Sequence, residues 1–214
     1  DGIRDWSVTG VQTCALPILI MKNQNKNYHS LQGKFLISSP NINDSVFKKS
    51  LIYIISDNED GSMGIIVNKP AHRVNLTSLL GENIKNVIRQ PQVYFGGPVE
   101  LDKGFILHTN DYENDKNHIK LDDGLILSSD FSTIKEVALG NGPSKSILAL
   151  GYTGWSSFQL HTELKKNDWF ELNLDINIIF AKNHKKKWDQ AISKLGINKK
   201  LLQSAIFSNY SGSA

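Results

Sequence analysis

LIYIISDNEDGSMGIIVNKP, residues 51–70, decides the fold class. Two runs of β-branched and aromatic residues, Leu51–Ser56 and Met63–Asn68, flank a polar stretch that carries Asp60-Gly61. Asp-Gly between apolar runs is a hairpin signal, because both residues tolerate the positive φ of a tight turn. The two runs are therefore expected to be buried strands paired antiparallel. On either side lie further short runs bounded by Gly, Pro, Asn or Asp: Lys34–Ser38, Gln92–Phe95, Phe105–His108, Leu125–Ser128, Ser146–Leu150, Trp169–Leu172 and Asn177–Phe180. Helical spacing of apolar residues occurs at Ile134/Val137/Ala138, Phe158/Leu160/Leu164, Trp188/Ala191/Ile192/Leu195 and Leu201/Leu202/Ala205/Ile206. Strands in clusters, with few and mostly late helices and no β-α-β-α rhythm, predict an α+β domain with a mixed sheet.

The chain has 214 residues and a formal net charge of +3. Val8–Ile18, VTGVQTCALPI, can be spelled as the in-frame translation of a common sequencing adapter, so residues 1–20 are expected to be non-native and the protein to begin near Met21. Setting them aside leaves 23 basic and 19 acidic residues and removes Cys14, the single cysteine. Disulfides, thiolate chemistry and cysteine zinc sites go with it. Residues 21–32 are polar and Asn/Lys-rich, which predicts a flexible lead-in, and 33–214 are expected to form one domain. The longest apolar runs, LIYII at 51–55 and INIIF at 176–180, are too short to cross a bilayer, so a soluble, cytoplasmic protein with no membrane partner is expected.

GSMGIIVNKP at 61–70, FGGPVELDKGFILHT at 95–109 and LGYTGWSSFQLHTELKKNDWF at 150–170, in that order, resemble the YqgE/AlgH family. GKFLISSP from Gly33 and WDQAISKLGI at 188–197 fit the same pattern. The resemblance implies a large mixed, mostly antiparallel sheet curled into a partly open barrel and flanked by helices. The family is bacterial and often labelled a transcriptional regulator, a label that brings no activity, cofactor or catalytic residue set. Relatives tend to carry Gly where Phe158 stands and an acid where His161 stands.

Several residues are candidates for a site. Gly151–Trp155 lies between an expected strand and an expected helix, the setting of a nucleophile elbow with Thr153 as nucleophile, but Trp155 stands where the elbow needs glycine. The same junction, with Gly154, would leave backbone N–H groups open to an anion, unless Ser156 and Gln159 close a capping box. Tyr152 and Trp155 could stack on a ligand there or serve the core. Gly96, Gly97 and Pro98 form a stiff turn without Walker or dinucleotide spacing, so ATP, GTP and NAD lack a warrant. Asn68 either caps a turn or reaches a pocket, and His108 is either a buried, hydrogen-bonded histidine or a ligand or base. No histidine pair has metal-ligand spacing, and the acids at 111, 113 and 115 lack the rest of a calcium loop. Lys182–Lys200 holds seven lysines and one acid, Asp189. Lys185, Lys186 and Lys187 would be its phosphate contacts, although the segment offers no arginine and no helix-turn-helix.

The expected function is a non-catalytic binding or regulatory role exerted through a protein or small-molecule partner, with no cofactor and no metal. Direct DNA binding through Lys182–Lys200 is the first alternative. A hydrolase-like enzyme using a pocket between the 96–98 and 151–159 loops is the second.

Overall fold

The computed structural model describes residues 28–71, 74, 87–113, 117–121 and 123–196. The adapter-like stretch, most of the lead-in and the helical spacing at Leu201–Ile206 lie outside the described residues. The described residues form nine strands: β1 (Lys34–Ser38), β2 (Leu51–Asn58), β3 (Gly61–Ile66), β4 (Val93–Phe95), β5 (Val99–Thr109), β6 (His118–Leu121), β7 (Leu125–Ser128), β8 (Ser146–Ser156) and β9 (Trp169–Asn173). They also form four helices: α1 (Phe131–Leu139), α2 (Gln159–Lys165), α3 (Ile176–Ile179) and α4 (His184–Lys194).

The sheet runs β6-β7-β5-β8-β3-β2-β1-β9, and β4 pairs separately with β8. All pairings are antiparallel except β4 with β8, so the sheet is mixed. The hairpin opens the ladder as expected: Asn58 pairs with Gly61, and the Asn58 side chain accepts from the backbone N–H of Asp60 (2.8 Å) and Gly61 (3.3 Å) across the turn. A bulge between Ile54 and Ser56 bends this pair.

Period-2 alternation sorts the strand side chains into separate cores. Phe35, Ile37, Tyr53, Ile65, Phe105, Leu107 and Ala149 face one side, where Leu121, Leu125 and Leu127 from the far end of the sheet join them. Strands from both ends of the order thus share one interior, and Gly33 lies against Asp123, so the sheet curls into a half-barrel. Ile178, Ile179, Trp188, Ala191 and Ile192 of α3 and α4 fill this concave side. On the convex side Leu36, Ile52, Ile54, Ile66, Trp155 and Trp169 pack under α2 and the loop containing Ile42, Val46 and Phe47, while Ile106 and Leu148 pack under Ile134 and Ala138 of α1. Strands buried on both faces read as nearly continuous apolar runs, which is why LIYII is so conspicuous.

Three elements differ from the sequence reading. Asn177–Phe180, expected as a strand, falls on α3 (Ile176–Ile179) and its C-cap Phe180: Asp175 caps the helix by accepting from the Asn177 N–H (2.9 Å), and a short β-branched run carries no period strong enough to resist a cap. β6 was not anticipated, since HIKL alternates over only two apolar residues. Gly151–Ser156 is not a turn into a helix; β8 runs unbroken to Ser156. Part of the expected lead-in is also anchored, because Tyr28 donates to Asp57 (2.8 Å) and the Leu31 N–H donates to the other oxygen of the same carboxylate (2.7 Å). Among the described residues no helix is long and apolar enough to cross a membrane.

Candidate functional site

The glycine-bounded motifs turn out to be places where backbone meets backbone. A Cβ on Gly96 would stand 2.2 Å from the Gly151 carbonyl oxygen, and one on Gly97 would stand 2.2 Å from the Tyr152 carbonyl. Gly96 N–H donates to Leu150 O (2.7 Å), and Ile66 N–H donates to Gly96 O (2.8 Å). Glycine lets the 95–98 turn lie directly on β8, and that close approach occupies space that the second alternative, the hydrolase-like one, assigned to a pocket between the two loops. The N–H groups of Gly151–Trp155 belong to a strand in register with β3 and β5, so no helix N-terminus presents them to an anion. Thr153 is buried and donates to Gly64 O (2.9 Å), which spends its hydroxyl on a strand neighbour.

The polar groups of the other motifs are similarly engaged. Glu163 on α2 accepts the indole N–H of Trp155 (2.9 Å) and of Trp169 (2.8 Å) on one oxygen, and Gln159 Nε2 (2.9 Å) on the other. The spacing of Trp155, Glu163 and Trp169 in the third motif is thereby explained as a clamp between β8, α2 and β9. Gln159 also accepts from the Ser156 N–H (3.0 Å), the return half of the expected capping box. The Ser156 hydroxyl donates to Gln159, and Phe158, at φ 56°, is the N-cap residue. Asn68 brackets the start of β2, accepting from Leu51 N–H and donating to Lys49 O (both 2.8 Å). His108 is buried with Nδ1 2.8 Å from Thr109 O, and burial holds its imidazole below the usual range. Pro98, Gly154 and Gln159 are at the surface, while Asn68 and His108 sit in other parts of the sheet, so these candidates do not converge.

Lys187 departs most from expectation. Expected beside Lys185 and Lys186 as a phosphate contact, it is instead fully buried, with Nζ donating to Val67 O (2.8 Å), Tyr94 Oη (3.0 Å) and Ile179 O. It faces the core because it lies one turn before Ala191 on the apolar side of α4. Lys185 and Lys186 remain exposed.

A second polar cluster lies at the hairpin tip. The buried Asp57 carboxylate accepts from Tyr28 Oη, Ser62 Oγ (2.6 Å) and Leu31 N–H, and His161 Nε2 approaches it at 3.4 Å. These contacts tie the segment before β1 and the helix α2 to the hairpin. Among the described residues no group of three or more His, Cys, Asp or Glu could hold a metal ion.

Open space lies elsewhere, at the seam where the curled sheet fails to close. A cavity of about 310 Å³ is lined by Gln32, Gly33, Lys34, Tyr53, Leu121, Asp123, Asn173 and Leu174. Gly33, at φ 77°, keeps the seam passable: a Cβ there would stand 2.6 Å from Asp123 Oδ2. Tyr53 rises from the core and donates to that oxygen at 3.5 Å. A wider depression of about 630 Å³ shares Asp123, Asn173 and Leu174 and continues to Asp175, Ile176 and Lys194. A third, of about 490 Å³, shares Asp175 and Lys194 and runs along α4 past Asp189 and Gln190. The three adjoin as one trough. Lys194 bonds Asp175 across it and holds that carboxyl below the usual range. No local motif marks this trough, because its lining comes from segments far apart in the chain.

Comparison with known proteins agrees with this architecture. The family model described as AlgH-like (DUF179) matches residues 35–200. A UPF0301 protein of Methylocella silvestris is 38% identical over 184 residues, covering 81% of this chain and 89% of that protein. One from Rickettsia canadensis is 38% identical over 178 residues, covering 81% and 93%. The solution structure of the AlgH protein from Pseudomonas aeruginosa superposes with a TM-score of 0.69 at 32% identity, over 86% of this chain and 97% of that one. A protein from Corynebacterium diphtheriae shares the fold at TM-score 0.65 and 20% identity, over 81% of this chain and 90% of that one. With its half-barrel, its structural motifs and these relatives in agreement, the chain belongs to the AlgH-like family.

Proposed function

We propose that this protein is a non-catalytic binding protein that acts through a small-molecule or protein partner received in the seam trough. The observation that carries the reading is the trough itself. It is a cavity of ligand size with carboxylates, amides and a phenol converging on it, in a molecule whose motif residues are already bonded to one another. Asp123, Gln32 and Asn173 favour a small polar ligand, or a partner's side chain, that carries N–H donors. Amide chemical-shift mapping with a panel of polar metabolites tests this. Binders are expected to perturb residues 32–34, 53, 121, 123 and 173–176, and to lose affinity in Asn173→Trp, which fills the trough. Binders that perturb a different face, or bind the variant equally well, contradict the reading.

Direct DNA binding is the second reading, and one observation favours it. The first turn of α4 carries His184, Lys185 and Lys186 and no acid, against the preference of a helix N-terminus for negative charge. Such a cationic start suits a phosphate partner. Association that weakens steeply with salt and is lost in Lys185→Ser/Lys186→Ser supports this reading; salt-independent association removes it.

A further inference from the structure

Lys187 is fully buried, and its three partners come from three different parts of the fold: the carbonyl of Val67 just past β3, the hydroxyl of Tyr94 on β4, and the carbonyl of Ile179 on α3. The Lys187 ammonium also stands 4.5 Å from the Tyr94 ring centroid. Among the described residues no carboxylate pairs with this amine, so none of them holds its proton as a counter-ion. The partner set suits both protonation states. An ammonium donates its three N–H bonds to the two carbonyls and the hydroxyl. A neutral amine donates two to the carbonyls, and its lone pair accepts the Tyr94 O–H once that rotor turns. Switching therefore leaves no buried group unpaired, which removes the usual hydrogen-bond penalty for changing charge in a core.

We propose that α4 is fastened by a proton-sensitive pin, and that opening of this helix away from the half-barrel takes up one proton at Lys187. Burial pushes the docked amine from 10.5 down to about 7, whereas an opened helix returns it to water. Between those limits the open state holds the proton and the docked state does not, so falling pH favours opening. Below about 7 both states hold it and the dependence ends.

The surroundings leave Lys187 as the group that responds. Tyr94 is pushed up to about 12 by burial and remains a neutral phenol throughout the window. α3, INII, has no ionisable side chain. β1 offers Lys34, paired with Glu171 (3.2 Å), and β2 offers Tyr53 and the Asp57 carboxylate, engaged by Tyr28, Ser62 and Leu31 at the hairpin tip. Lys49 lies 5.7 Å from the Trp188 ring, beside the pin. On α4 itself Lys185 and Lys186 are exposed, and His184 and Asp189 are half-buried. Because α4 also walls the trough through Gln190, Ser193 and Lys194, a ligand that holds the helix docked would release part of a proton.

Hydrogen exchange of the Ala191 and Ile192 amides, corrected for intrinsic rate, tests the pin between pH 7.5 and 9. In the natural chain the opening constant is expected to rise about tenfold per unit fall in pH, as one coupled proton requires, while amides that exchange without undocking of α4 show no such slope. Lys187→Met, which keeps the stem and drops the charge, is expected to abolish the slope. A flat wild-type profile, or an unchanged slope in the variant, overturns the proposal. Should the variant fail to fold, direct titration of isotope-labelled lysine side chains decides. An assigned Lys187 midpoint well below the ordinary lysine range supports the pin, and a Lys187 midpoint in that range refutes it.

Discussion

Replacing Glu163 with alanine removes the acceptor shared by two buried indoles, and the structure allows the cost to be worked out. Trp155 and Trp169 are 8% and 4% exposed, and both donate to the same Glu163 oxygen at under 3 Å. A buried donor stripped of a charged acceptor costs about 1.5–3 kcal/mol. Two such donors therefore imply a loss of about 3–6 kcal/mol, a large share of the roughly 5–15 kcal/mol that holds a domain folded. Glu163→Gln keeps an acceptor oxygen and should lose only about 1 kcal/mol, the difference between a charged and a neutral acceptor. Urea unfolding followed by far-UV circular dichroism measures both, and tryptophan fluorescence should show the indoles loosening together in the alanine variant. An alanine variant within about 1 kcal/mol of wild type, or a glutamine variant as damaged as alanine, would refute the clamp.

Three further outcomes follow from the same geometry. Gly97→Ala places a Cβ 2.2 Å from the Tyr152 backbone, and should cost about 3 kcal/mol or more by denaturant titration, whereas a glycine lining an open ligand loop would tolerate the methyl group. Phe158→Gly should raise the unfolding midpoint, gaining about 1 kcal/mol, because Phe158 holds φ 56° with 55% of its surface exposed. An unchanged or lower midpoint counts against backbone strain there. His108, held below its ordinary range by burial, takes up its proton more readily when unfolded. Its contribution is complete above the ordinary histidine range and is lost as pH falls through the folded value, so His108→Gln should flatten the acid limb of the stability profile.

How much of this was legible in the sequence depends on how local each feature is. The β2–β3 hairpin was readable because its signal, Asp60-Gly61 between two apolar runs, lies within a single stretch. β1 and β7 were readable with the same bounds for a similar reason. INIIF misled because four β-branched or amide residues carry no decisive period, and the deciding feature was the Asp175 cap just before them. Gly151 and Gly154 looked like a turn because glycine usually marks one. Here Gly151, at φ 69°, bends a continuous strand so that the 97–99 backbone can approach. Lys187 was hidden in a lysine-rich segment, although its spacing to Ala191 placed it on the apolar side. The trough could not be read at all, since residues 32–34, 53, 121, 123 and 173–175 meet only after the sheet has curled.

Gly96, Gly97 and Gly151 are sealed inside the fold, and the molecule opens at the seam. Amide relaxation enhancement by a soluble paramagnetic chelate measures this residue by residue. Weak enhancement is expected at Gly96, Gly97, Gly151 and Thr153, which are buried, and strong enhancement at Gln32, Gly33, Asn173 and Leu174, which line the trough. Strong enhancement at the glycines with protection at the seam would contradict this.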